Sequence, residues 1–141
     1  MPDIQHRFLV KAPITKVFEV FCSEKGLNNW WTLECSGKPE LNEIYRFYFG
    51  PEYDWNAKVI HVMSGKELSW QMVKAMDDWM STEVGFKLSE NNGSTSVYFF
   101  HTGWKEAGEH YAITNFCWGQ LLNGLKNYCE NGSIVPFEKR N

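Results

Sequence analysis

Hydrophobic residues recur at three- and four-residue steps near both ends of the chain and alternate with polar ones through its middle. The longest helical run spans about Glu109 to Glu130. In it Tyr111, Trp118, Leu121, Leu122, Leu125, Tyr128 and Cys129 form a stripe, while Asn115, Gln120, Asn123, Lys126 and Asn127 fall mostly between them. Asn131-Gly132 ends this helix, because glycine tolerates the left-handed backbone of a helix stop. Such a helix needs an apolar surface to lie on. At the other end, Ile4 to Lys11 alternates, with Ile4, His6, Phe8 and Val10 on one face, which predicts a strand. Ala12-Pro13 stops it, and Ile14, Val17, Phe18 and Phe21 then follow helical spacing. Gly26 is expected to break that run, leaving a second short helix around Ser23 to Asn29 that leads into Trp30-Trp31.

Between these ends the period is two. Leu33 to Asn42, with Gly37 and Pro39, reads as loop, and from Glu43 onward Tyr45, Phe47 and Phe49 oppose Ile44, Arg46 and Tyr48. Gly50-Pro51 turns into a strand from Tyr53 to Met63. Ser64-Gly65-Lys66 turns into Glu67 to Val73, where Leu68, Trp70 and Met72 share a side. Strands over Trp79 to Leu88 and Thr95 to Gly103 are joined through Asn92-Gly93, a hairpin signal; Val84, Phe86 and Leu88 are expected on the same face as Val97, Phe99 and His101. The order is strand, two short helices, five antiparallel strands, long helix. That order predicts one α+β domain over residues 1–141, its six-stranded antiparallel sheet curved around the last helix and able to leave a void beneath it.

Composition changes this picture in one respect. Aromatic residues make up 16% of the 141 residues, with seven Trp, which supplies wide, stiff walls for a dense core or a ligand cavity. The formal net charge of −3, without a basic stripe, argues against a nucleic-acid partner. No apolar run approaches the roughly twenty residues of a membrane helix, and the first residues lack the apolar segment of a signal peptide. Cys22, Cys35, Cys117 and Cys129 are scattered, as expected of reduced thiols in a cytoplasmic protein.

Candidate chemistry is sparse. No zinc, Walker, dinucleotide-binding or nucleophile-elbow motif occurs, so neither metal nor cofactor is expected. Of His6, His61, His101 and His110, strand pairing can bring His61 and His101 onto one wall. A cavity-facing His101 is the candidate acid or base; the alternative is a hydrogen-bonded structural histidine near a strand end. Arg46 and Glu83 either recognise a polar ligand head or lie solvated on the outer face, and Asp77-Asp78 reads as a turn.

Four segments carry a resemblance: "APITKVFEVF" followed by Trp30-Trp31, "VIHVMSGKELSW" from Val59, "VGFKLSENNGSTSVYFFHTGW" from Val84, and "FCWGQLLNGLKNYCENG" at the end. In this order, over nearly the whole chain, they resemble the SRPBCC or START-like superfamily, and within it the branch named after the activator of heat-shock-protein ATPase homologue. The resemblance implies a helix-grip fold with an elongated cavity between sheet and carboxy-terminal helix. It also implies functions that range over binding of apolar molecules, cyclase chemistry and co-chaperone activity. Such a fold would gather Trp30, Trp31, Tyr45, Phe47, Trp55, Trp70, Met72, Phe86, Phe99, His101, Trp118 and Leu122 around one interior. Expected first is binding of a small apolar or amphipathic molecule by a monomer or homodimer, with access gated by the Trp30–Asn42 loop and the turns at the open end. The alternatives are a cyclase- or hydrolase-type enzyme that uses His101 with Arg46 or Glu83, and a co-chaperone-like interaction protein.

Overall fold

The structure, a computed structural model, describes residues 2–140; Met1 and Asn141, the ends of the expected domain and tail, lie outside them. Seven strands form one antiparallel sheet: β1 (Ile4–Val10), β2 (Glu34–Ser36), β3 (Ile44–Gly50), β4 (Tyr53–Met63), β5 (Glu67–Lys74), β6 (Glu83–Asn91) and β7 (Ser94–Thr102), in the order β1-β7-β6-β5-β4-β3-β2. Helices α1 (Ile14–Cys22) and α2 (Glu24–Trp30) follow β1, and α3 (Glu109–Asn131) follows β7. The expected α+β helix-grip arrangement is therefore present, with one strand more than predicted. Glu34–Ser36 pairs with Arg46–Tyr48 at the sheet edge, and three residues are too few to display an alternation.

Each hairpin signal produces its hairpin. Asn92 and Gly93 both take positive φ, 51° and 83°, between the paired Asn91 and Ser94, as a two-residue turn of the favoured hand requires. Val84, Phe86 and Leu88 stand opposite His101, Phe99 and Val97. β6 begins at Glu83 rather than Trp79. Asp77–Trp79 winds into a single 3-10 turn and Ser81 adopts φ 67°, which swings the Trp79 ring inward. Register shifts in β3 between Tyr48 and Gly50, and in β4 around Asn56–Ala57 and Val59–His61, bend the sheet.

The helix break also falls elsewhere than expected. Ser23 is extended (φ −80°, ψ 154°) and its side chain accepts from the Gly26 N–H, so Ser23 divides the helices and caps the second. Gly26 lies inside α2. A Cβ there would stand 2.6 Å from both the Cα and the carbonyl oxygen of Val20, so only glycine lets the two helices approach this closely. On α3 the buried line is Thr114, Trp118, Leu122, Leu125 and Cys129, and Gly132 closes the helix at φ 78°. Ties to distant segments hold the helix along its length: the Tyr111 hydroxyl donates to Asp3 O, His6 Nε2 meets Asn115 Oδ1, Asn29 donates to the Tyr128 hydroxyl, and Glu130 accepts the Lys11 N–H.

Replacing Gly26 by Ala forces α1 and α2 apart and is expected to destabilise the protein by about 1–3 kcal/mol in chemical denaturation. Stability equal to the wild type would mean that the helices separate freely.

Candidate functional site

The concave face of the sheet splits into a solid part and a hollow part. In the solid part, Phe21 stacks on Phe86 at 4.1 Å, and Tyr45 and Phe47 meet Trp70 edge-on at 5.3 and 5.5 Å. Trp30, Met72, Phe99 and Leu122 are buried in the same cluster. The Tyr45 hydroxyl donates to Cys22 O at 2.6 Å and the Trp30 indole to Val20 O at 3.0 Å, which satisfies both polar handles within the protein. Burial drives the thiols of Cys22, Cys35 and Cys129 up to about 12, so they act as small apolar groups.

The hollow part is a cavity of about 400 Å³ between the β3–β4 end of the sheet, the first half of α3 and the carboxy-terminal tail. Phe49, Tyr53 and Trp55 come from the sheet, and Met76 and Trp79 from the link before β6. The helix contributes His110, Ile113, Thr114, Cys117, Trp118 and Leu121. Trp31, Phe137 and Arg140 complete the wall. Trp31, Trp79 and Trp118 are buried, whereas Tyr53 and Ile113 are half-exposed, so the cavity has an aromatic floor and an open rim. Of the twelve residues expected around a ligand, Trp31, Trp55 and Trp118 line this cavity. Trp30, Tyr45, Phe47, Trp70, Met72, Phe86, Phe99 and Leu122 lie in the packed core, and His101 lies behind the wall.

His101 is fully buried, with Trp79 and Trp104 at 4.7 and 4.8 Å. The Trp118 indole, which can only donate, gives its N–H to His101 Nδ1 at 3.1 Å. The proton of the neutral ring therefore sits on Nε2, which donates to Thr82 Oγ1 at 2.9 Å, and Thr82 donates onward to Trp79 O at 2.6 Å. Both ring nitrogens are thus committed within the protein. Burial, aided by the nearby charge of His110, pushes the imidazole pKa down to about 3. His61 is exposed and paired with Glu67 at 2.9 Å, so it does not share a wall with His101. Arg46 forms a two-pronged pair with Asp54 on the outer face. Glu83 pairs across from Thr102, one residue out of step with Val84 and His101, and so points away from them. The three polar groups do not converge.

The other eleven lining residues lie outside the set expected from the sequence, among them Trp79, Arg140 and His110, whose Nδ1 lies 2.8 Å from Asp78 Oδ2. Trp79 was assigned to a strand, Arg140 to a tail. Among the described residues, the buried Trp79 indole N–H has no acceptor. No cluster of three or more His, Cys, Asp or Glu among them is placed to hold a metal ion, and no helix is long and apolar enough to cross a membrane.

The neutral His101 ring contributes stability at and above about pH 6.5, the unfolded value, and that contribution is lost as the pH falls toward its folded-state pKa. Nitrogen NMR of the imidazole is expected to show the Nε2–H tautomer without a titration step between about pH 5 and 8. A step in that window would mean the ring reaches solvent.

Residues 11–130 match the family described as "Activator of Hsp90 ATPase homolog 1-like protein". No curated protein matches the chain. The solution structure of the Aha1 dimer from Colwellia psychrerythraea is 31% identical, covers 94% of this chain and 99% of that one, and superposes with a TM-score of 0.85. A Bacillus halodurans protein is 26% identical over 89% of this chain and 91% of its own, with a TM-score of 0.69. A crystal structure from Staphylococcus saprophyticus shares the fold at 18% identity, with coverage of 95% and 96% and a TM-score of 0.80. With the family match spanning residues 11–130 and 31% identity to a relative covered over nearly its whole length, the protein belongs to the activator of Hsp90 ATPase homolog 1-like family.

Proposed function

We propose that the domain binds a small apolar or amphipathic molecule in the cavity under the first half of α3. The observation that carries this reading is the cavity itself: about 400 Å³, framed by Trp31, Trp55, Trp79 and Trp118 at the edge of the packed core. Its size falls within the roughly 300–1,000 Å³ of small-molecule pockets. The buried indole N–H of Trp79 supports a polar handle within an apolar body. Of the expected gating segment Trp30–Asn42, Trp31 alone lines the cavity, so access is assigned to the β3–β4 turn, one of the turns expected to gate it, and to the tail. Because His101 has neither a free nitrogen nor a polar neighbour in Arg46 or Glu83, binding is preferred to catalysis through that residue.

Four of the seven tryptophans line the cavity, so occupancy has a direct optical readout. Titration with a panel of fatty acids, sterols and polycyclic aromatics is expected to quench tryptophan emission, and native mass spectrometry to show a one-to-one complex. Cys117→Trp, which places a large ring in the cavity, should weaken the best binder at least about tenfold while thermal unfolding stays near the wild type. A panel with no binder in either measurement would overturn the reading.

A surface-acting role is the second reading. It draws on the family's description and on the outer face of α3, where Phe116 is 68% exposed beside the half-exposed Ile113. If it is correct, adding the chain to a ninety-kilodalton heat-shock ATPase raises ATP turnover, and Phe116→Ser abolishes the increase. Unchanged turnover would exclude it.

A further inference from the structure

Among the described residues that line the cavity, Arg140 is the one fixed cation and none is a carboxylate. Its residue surface is 8% exposed. Nε donates to Val135 O at 2.8 Å and Nη1 to Thr32 O at 3.1 Å, both neutral carbonyls. Among the described residues no carboxylate lies within ion-pair distance of this guanidinium, and the neighbouring Glu138 is exposed to solvent. Two backbone carbonyls orient the guanidinium and the Phe137 ring lies 5.7 Å from its central carbon, but among the described residues no carboxylate offsets its charge, and Nη2 is not engaged by either hydrogen bond. A buried charge is costly until an opposite one arrives. Burial accordingly holds the Arg140 pKa below its usual value, against a smaller upward pull from Glu138. Arginine nevertheless stays protonated, so the site cannot relieve itself by losing the charge. The other ionisable cation at the rim, His110, is already engaged by Asp78.

We propose, resting on the ligand-binding reading above, that the cavity selects an amphipathic monoanion, with its aromatic or aliphatic body against Trp79 and Trp118 and its oxyanion head paired with Arg140. The same side chain that docks the tail then serves as the anchor of the ligand, since Nε and Nη1 face the backbone and the remaining donors are available to a carboxylate in the fork geometry that arginine favours. Charge, rather than shape alone, becomes the basis of discrimination. A neutral alcohol or ester of the same body leaves the guanidinium as unpaired as before.

Two dyes of similar aromatic frame separate the two ideas: 8-anilinonaphthalene-1-sulfonate, an anion, and N-phenyl-1-naphthylamine, which lacks the sulfonate. Fluorescence titration of the wild-type chain is expected to show both bound in competition with Cys117→Trp-sensitive ligands, with the anion at least about tenfold tighter. Arg140→Gln should remove that preference, read as the ratio of the two dyes' affinities, and Arg140→Lys, which keeps a charge but not the fork, should retain part of it. In the same competition format decanoate should displace the anionic dye better than decanol does, in the wild type only. If neither dye binds, the ligand-binding reading fails. If the dyes bind equally, if the preference survives Arg140→Gln, or if that variant loses both dyes in equal measure, ligand binding stands and the anion anchor is overturned, Arg140 then being a latch for the tail alone.

Discussion

Trp118 sits where helix, sheet and cavity meet, and its indole N–H to His101 is the bond on which the rest of the arrangement depends. The ring fills space against Trp31 at 5.0 Å, Phe99 at 4.6 Å and Trp79 at 6.0 Å, while its one polar atom points into the sheet. A tryptophan buried on a helix needs an acceptor, and the neutral imidazole supplies one only while its proton is held on the other side by Thr82. The run from Trp118 through His101 and Thr82 to the Trp79 carbonyl therefore ties α3, β7 and the link before β6 into one unit. That unit forms the cavity floor. The same saturation that makes His101 a good structural element removes it from chemistry, since a base with no free lone pair cannot reach a substrate.

Core and cavity use the same residue types but differ in how the chain returns to them. In the core, α1 and α2 are held close by Gly26, and Phe18, Phe21 and Trp30 interlock with one another and with Phe86 of β6. Nothing of the kind covers the β3–β4 end. There α3 and a short tail span the gap without filling it. The sheet bends toward them because β4 carries two register shifts, so curvature and hollow arise from the same irregularities.

Period and turn chemistry made most of the fold legible. Alternation in Tyr45–Phe49 and Leu68–Met72 identified the buried face residue by residue, and Asn92-Gly93 located its hairpin because only that turn type tolerates two positive φ angles. The β2 strand is hidden by its length, and the α1–α2 boundary falls at Ser23 rather than Gly26 because a glycine that permits close helix contact has the same local signature as a helix breaker. The cavity was less legible than the fold. An inward aromatic on a strand looks the same whether its neighbour is another ring or empty space, so Tyr45 and Trp55 could not be told apart by period. Trp79 reaches the wall through a 3-10 turn, and Arg140 through a tail contact with Thr32 from the opposite end of the chain; neither has a local pattern.

The pairing of β1 with β7 sets the order in which this molecule can be assembled. Ile4 has its partner in His101, and Val10 in Thr95, so β1, the first of the seven strands in chain order, has no edge to join until β7 has formed. Until then its apolar face, with Ile4, Phe8 and Val10, is uncovered, and α1, which rests on β6 and β7, has no bed. Strands β3 to β6 can zip as successive hairpins in the meantime. Closing β1 onto β7 is therefore the pairing of greatest sequence separation in the sheet, and it carries the largest loop-closure cost of any strand pair.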